Sequence, residues 1–296
     1  RCGTMKVAVA SGKGGTGKTT IATNLALAIA NGDNNVQLID CDVEEPNCHI
    51  FLNTRLEIVE DVYISVPRVD KDICTLCGKC SQFCRYNAIA VLPDKLLFFE
   101  ELCHGCGGCK LVCPVGAITE EKRVIGVIER GVSGDKDGNR ADSDALEFYH
   151  GKLNIGVAMA TPVIRALKRH IDDAKVVILD APPGVACPVI ETICDADYCI
   201  LVTEPTPFGL YDLKLAVDLV RKLAIPFGIV INRSDIGDKN VEDYCKDEGI
   251  DILMNIPESR EIAQLYAHGI PFITRLTDWR DTFIDVYEHI LDESGK

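Results

Sequence analysis

The sequence predicts an α/β protein: a doubly wound, mostly parallel sheet interrupted by a small inserted α+β segment. Three observations carry this. Met5–Ala10 is a short apolar run that ends in the glycine-rich stretch Gly12–Thr20 and passes into Lys18–Asn31, whose apolar spacing is helical. Val36–Cys41 and Val176–Asp180 are continuous apolar runs closing on aspartate, as expected of parallel strands buried on both faces. Tyr198–Thr203 and Phe227–Asn232 repeat the pattern. The third observation is a break in that rhythm, a cysteine-dense segment from about Val66 to Thr119. The chain therefore divides into a first part of the α/β unit (1–65), an insert (66–119) and a second part (120–296).

The elements follow in order. Arg1–Thr4 precede the first strand. Within the insert, Pro93-Asp94 turns the chain between short apolar runs. Arg123–Gly131 and Lys152–Val157 read as strands flanking an acidic, glycine-containing loop, Ser133–Ala145. Thr161-Pro162 and Thr206-Pro207 each offer a capping hydroxyl followed by proline at the first helical position. Alternation of strands and helices places ligands at the carboxyl ends of the strands.

Composition narrows the function. Hydrophobic residues make up 47% of the 296, enough for a sizeable core. No run approaches the roughly 18–20 apolar residues of a membrane span, and no charged-then-apolar leader is read. A formal net charge of −14 disfavours both nucleic acid and an anionic membrane surface. Fifteen cysteines without a leader imply a cytoplasmic protein with reduced thiols, so metal ligation accounts for the regularly spaced ones better than disulfides do.

Gly12-Lys13-Gly14-Gly15-Thr16-Gly17-Lys18-Thr19-Thr20 is a phosphate-binding loop. Backbone N–H groups at glycine positions, followed by a helix N-terminus, form an anion cradle. Lys18 is placed to reach the β- and γ-phosphates of ATP, and Thr19 to offer a hydroxyl to Mg²⁺. Lys13 narrows the motif further. The pattern Lys-Gly-Gly-Thr-Gly-Lys-Thr resembles the deviant Walker A loop of the MinD/ParA/nitrogenase-iron-protein ATPases. That resemblance implies that Lys13 crosses a dimer interface to the other subunit's nucleotide, and that hydrolysis is slow without an ATP-bound dimer. It further implies that Asp40-Cys41-Asp42 is a first switch, in which Asp42 activates water and Asp40 lies near Mg²⁺. In Asp180-Ala181-Pro182-Pro183-Gly184, Asp180 would hold Mg²⁺ through water and the Gly184 N–H would sense the γ-phosphate. Asn232-Arg233 and Ile256-Pro257 match the adenine side of such sites, with Asn232 and Pro257 at the base. An aspartate ending a strand also serves as a cap or turn residue, and that reading stays open.

Eight cysteines form two runs, Cys74, Cys77, Cys80, Cys84 and Cys103, Cys106, Cys109, Cys113, each member of the second 29 residues after its counterpart. Ala88-Ile89 recurs in step as Ala117-Ile118. The Cys-x₂-Cys-x₂-Cys-x₃-Cys spacing resembles bacterial ferredoxins, and its doubling implies two 4Fe–4S clusters in an inserted ferredoxin-like domain. In such modules the fourth cysteine serves the other cluster. The resemblance thus gives Cys74, Cys77, Cys80 and Cys113 to one cluster and Cys103, Cys106, Cys109 and Cys84 to the other. A zinc ribbon is the alternative, although zinc does not require the third closely spaced cysteine. Arg85 follows Cys84 where Pro114 follows Cys113. Cys187, seven residues after Asp180, resembles in spacing the bridging-cluster ligand of the nitrogenase iron protein; packing is the other reading. Cys41 and Cys48 flank the first switch, Cys194, Cys199 and Cys245 suit packing, and Cys2 stands alone.

The whole chain resembles a MinD-superfamily ATPase carrying a ferredoxin insert. Unlike MinD it ends acid-rich over Asp278–Lys296, and it lacks the C-terminal Cys-x-x-Cys of Mrp-type cluster carriers. The resemblance implies a homodimer, or a heterodimer with a related ATPase, that uses ATP to gate electron transfer or cluster assembly on a redox or metallocluster-bearing client. An iron–sulfur scaffold with a purely conformational ATP site is the alternative; a partitioning ATPase fits the charge less well.

Overall fold

The computed structural model describes residues 5–30, 35–132 and 146–295. Among the described residues the chain builds one nine-stranded sheet and a separate two-stranded ribbon. Its first half runs β1 (Lys6–Ala10), α1 (Lys18–Ala30), β2 (Val36–Asp40), α2 (Cys48–Leu52) and β3 (Arg55–Val69). Next come α3 (Lys79–Phe83), the ribbon β4 (Ile89–Val91) and β5 (Leu96–Phe98), α4 (Gly108–Leu111) and β6 (Ile118–Val132). The second half is β7 (Leu146–Leu153), α5 (Thr161–Lys168), β8 (Val176–Asp180), α6 (Cys187–Ile193), β9 (Tyr198–Thr203) and α7 (Pro207–Lys222). It closes with β10 (Phe227–Asn232), α8 (Asn240–Glu248), β11 (Ile252–Ile256), α9 (Arg260–Ala267) and α10 (Asp278–Ser294).

The sheet order is β11-β10-β9-β1-β8-β2-β7-β6-β3. From β11 to β7 every pairing is parallel; β6 and β3 add an antiparallel hairpin at one edge. Side chains alternate between two cores. Ile39, Leu179, Leu201 and Ile231 face one, with residues of α5 to α8; Leu38, Ile178, Ile200 and Val230 face the other, with α1 and α10. Both faces are covered, which is why the central strands are mostly apolar, Gln37 in β2 being a buried exception held by Glu147 and His170.

The structure departs from the sequence reading in four places. β7 spans Leu146–Leu153, not Lys152–Val157, and the later residues turn, with the Val157 N–H donating to Asn154 O at 3.1 Å. Thr161 is not a cap: Ala160 holds that position with no side-chain bond. Thr206 is one, accepting from the Gly209 N–H at 3.0 Å. β3 was not anticipated, because Glu57, Glu60 and Asp61 interrupt its alternation; as the outer strand it leaves that stretch largely in solvent. Strand pairing also continues to Val69 and resumes at Ile118, inside the expected insert boundaries. The Ser133–Ala145 loop, Arg1–Thr4 and the ends at Asn31 and Lys296 lie outside the described residues.

Register fixes where the insert stands. Asp40 is level with His150, His150 with Glu129, and Glu129 with Ile58. β3 runs in the same sense as the parallel strands, so its continuation rises from their carboxyl edge. β7 ends at Leu153 opposite Gly126, and the hairpin goes on through seven further pairs, Tyr63↔Val124 to Val69↔Ile118. At about 3.3 Å per residue it overhangs the sheet by roughly 20 Å. The cysteine-rich segment thus stands on the side of the sheet that carries the glycine loop.

Candidate functional site

β1 ends at Ala10 and the chain crosses to α1 through Ser11–Gly17. Two contacts shape this loop: the Ser11 hydroxyl donates to Lys13 O at 2.5 Å, and the Gly184 N–H donates to Ser11 O at 3.0 Å. Gly17 needs its missing side chain, since φ is +98° and a Cβ would meet Asn232 Nδ2 at 2.6 Å. Gly14 and Gly15 are exposed at the mouth, whereas Thr16 and Lys18 are buried. The cleft beyond has about 460 Å³ of room, and its walls include Gly14, Gly15, Lys18, Thr19, Thr20 and Asp42. Its far wall is Asn232, Arg233, Ile256, Pro257 and Tyr266. The structure therefore brings the phosphate loop, the first-switch carboxylate and the expected base-side residues to one space.

Behind the loop lie three carboxylates. Thr19 Oγ1 donates to Asp180 Oδ2 at 2.7 Å, and Cys48 Sγ donates to the same oxygen at 3.4 Å. Asp40 accepts from the backbone N–H groups of Asp42, Asn47 and Cys48 at 3.1, 2.9 and 3.0 Å. That holds the first-switch segment against the end of β2. Burial, with the facing Asp180, pushes Asp40 well above the ordinary carboxylate range; burial does the same to Asp180 against the opposing pull of Lys18. Asp42 is pushed up to about 6 by burial and by Asp40. Asp180 Oδ1 is buried with no hydrogen-bond partner. Two crowded carboxylates, one with an unsatisfied oxygen, and the Thr19 hydroxyl are hard oxygen donors that fit Mg²⁺, with the Cys48 thiol beside them.

Several expected residues are otherwise engaged. The Asn232 amide donates to Thr16 O at 2.9 Å. Lys13 Nζ pairs with Glu204 at 3.4 Å, and Arg233 bridges Glu204 at 3.0 Å and Glu258 at 3.1 Å. Cys187 is exposed at the start of α6 and belongs to no group of clustered ligand atoms among the described residues. Sequence reading missed Glu204; an acid directly after the apolar run Tyr198–Thr203 was the available signal. It also placed Cys48 as a flanking residue, not as a partner of Asp180.

In the insert the eight cysteines sort into two hollows. One is lined by Cys74, Cys77, Cys80 and Cys113 with Val91, Leu96 and Ile118. The other is lined by Cys84, Cys103, Cys106 and Cys109 with Phe83, Ile89 and Phe98. The backbone repeats with the sequence: Leu76 and Gly105, Gly78 and Gly107, Asn87 and Gly116 take positive φ in pairs 29 residues apart. Some sulfurs already accept N–H groups, Ala117 to Cys113 Sγ at 3.3 Å and Gly105 to Cys103 Sγ at 3.5 Å. Among the described residues no three thiol sulfurs lie within 4.8 Å of one another. Thiolates on one tetrahedral zinc stand about 3.8 Å apart, from Zn–S bonds near 2.3 Å. The thiols as they stand are set more widely than that.

The family described as the CobQ/CobB/MinD/ParA nucleotide-binding domain matches residues 7–272. The chain belongs to that family. Members of the MinD/ParA group are ATPases, and this chain has their fold. It is 19% identical to the septum site-determining protein MinD of Pyrococcus horikoshii, solved with Mg-ADP, with a TM-score of 0.56 over 97% of this chain and 96% of that one. An uncharacterized protein of Methanocaldococcus jannaschii is 32% identical over 97% of this chain and 98% of its own length. An iron-sulfur cluster carrier protein of Pyrococcus horikoshii is 26% identical over 90% of this chain and 79% of its own. No described helix is long and apolar enough to cross a membrane.

Proposed function

We propose that this MinD-family chain is an ATPase carrying two 4Fe–4S clusters, in which nucleotide-driven rearrangement of a dimer gates electron delivery to a client protein. The observation that carries the reading is the sorting of the cysteines. Each hollow takes three thiols from one run and the fourth from the other, the exchange that two-cluster modules use. Cys74, Cys77, Cys80 and Cys113 would hold one cluster; Cys103, Cys106, Cys109 and Cys84 the other. Such clusters supply one-electron transfer when bound.

The protein's own residues supply the rest. Glycine-loop N–H groups and Lys18 bind the phosphates, Thr19 and Asp180 with Asp40 hold Mg²⁺, and Asp42, ionised above about pH 6, orients water. Lys13 serves the nucleotide of a second copy; a cation supplied across an interface is worth roughly 10³–10⁵ in rate. The first switch, Asp40-Cys41-Asp42, leads through α2 into β3, whose overhang carries the insert. Nucleotide state therefore has a short covalent path to the clusters.

Protein purified without oxygen should carry about eight irons and hydrolyse ATP at a rate that changes when the clusters are reduced. Far fewer irons, or a rate blind to cluster oxidation, sinks the proposal. The carrier-named relatives favour a second reading, in which clusters are cargo. Cluster content that falls with ATP turnover selects the carrier; constant content selects the gate.

A further inference from the structure

Glu204 is the acid that the site description leaves without a task. It follows β9 directly, beside the glycine loop, because β9 pairs with β1. Its side chain is only 11% exposed, and each carboxylate oxygen holds a different cation: Oε2 takes Lys13 Nζ at 3.4 Å and Oε1 takes Arg233 Nη1 at 3.0 Å. The backbone beneath is fixed, with the Thr206 N–H donating to Glu204 O at 2.8 Å and Gly209 packed so closely that a Cβ would lie 2.3 Å from that oxygen. Arg233 is anchored a second time, by Glu258 at 3.1 Å.

We infer that Glu204 is a positioning residue that parks Lys13 on its own protomer, so that Lys13 becomes available to a second copy only when it leaves this carboxylate. The inference rests on the reading that Lys13 acts across an ATP-bound dimer. Removing one member of a buried ion pair is costly when it strands the other charge. Here it does not, because Arg233 stays on Glu204 after Lys13 departs. The arrangement is thus two-state by construction: a held lysine, or a released lysine with the acid still compensated. Arg233 also lines the nucleotide cleft, so the post that keeps Lys13 is wired to the base side of the site.

The test uses whole, anaerobically isolated protein, and compares wild type with Glu204→Gln, Glu204→Asp, Lys13→Ala and the double variant Lys13→Ala/Glu204→Gln. The first readout is the rate at which an amine-acylating reagent modifies Lys13 without nucleotide, read by peptide mass spectrometry against Lys246 as internal reference. Loss of this partly buried ion pair should speed modification about fivefold in Glu204→Gln, with Glu204→Asp in between. Unchanged Lys13 reactivity overturns the inference. The second readout is the protein concentration at which ATP drives self-association, by sedimentation. It should fall about 25-fold in Glu204→Gln, fivefold for each of the two lysines freed per dimer, and not between Lys13→Ala and the double variant. An equal shift in the Lys13→Ala background also overturns it. If Lys13 reactivity rises but wild type never associates with ATP, the parking contact stands and the dimer reading falls.

Discussion

Asp180 shows at the level of one residue how the site is built against stability. It is fully buried, one oxygen accepts from Thr19 and Cys48, and the other has no partner. Its native pKa lies above that of the unfolded chain, because burial outweighs the pull of Lys18. The native state therefore binds more protons than the unfolded one in the window from the ordinary carboxylate range up to the raised value. Stability falls as pH rises through that window and stays lost above it. Asp180→Asn keeps an oxygen for Thr19 and removes the charge. Nucleotide-free Asp180→Asn should be more stable than wild type by roughly 1 kcal/mol at pH 8, with the gain shrinking towards pH 5, while Mg-dependent ATP hydrolysis is lost. Thermal unfolding across pH checks it; an Asn variant no more stable at pH 8 than wild type contradicts the account.

At the scale of elements, the core strands were legible and the edge hairpin was not, for one physical reason. Val36–Asp40 and Val176–Asp180 are buried on both faces, so most positions are apolar and the runs announced themselves, with Gln37 tolerated because Glu147 and His170 accept from its amide. β3 has one neighbour and an open flank; Glu57, Glu60 and Asp61 sit there at no cost, and alternation disappears from the sequence. The glycine loop was readable because phosphate binding fixes residue type and spacing, and the cysteine runs stood out as a repeat 29 residues apart. The Lys13–Glu204–Arg233 contact was not, since its members come from three strand ends brought together only by the sheet. Gly126 marks where the hairpin leaves the sheet. A Cβ there would meet Lys152 O at 2.5 Å and Val163 Cγ2 at 3.0 Å, both in packed elements. Gly126→Ala should cost about 1–3 kcal/mol, measurable as a lower denaturant midpoint. An unchanged midpoint would mean that β6, β7 and α5 are less tightly set than their contacts indicate.

Across the whole molecule, the insert is one unit only if its two cysteine runs depend on each other, and paired substitutions separate the possibilities. Should each hollow hold its own cluster, Cys77 and Cys113 serve the same one, although they come from different runs. Cys77 and Cys84, from the same run, serve different ones. Cys77→Ser/Cys113→Ser then places both lesions in a single site and should retain about half the iron, near four atoms per chain. Cys77→Ser/Cys84→Ser damages both sites and should retain little. If each run instead ligated its own metal, the outcomes would exchange: the same-run pair would keep half and the cross-run pair would lose nearly all. Iron and sulfide analysis with electron paramagnetic resonance of the reduced variants decides between them. The result also bears on coupling, because exchanged ligands tie β3 and β6 together through metal at the far end of the overhang. A hairpin closed at its tip transmits a shift at Asp40 to both clusters as one body, whereas two independent sites would leave the tip free to move apart from the switch that drives it.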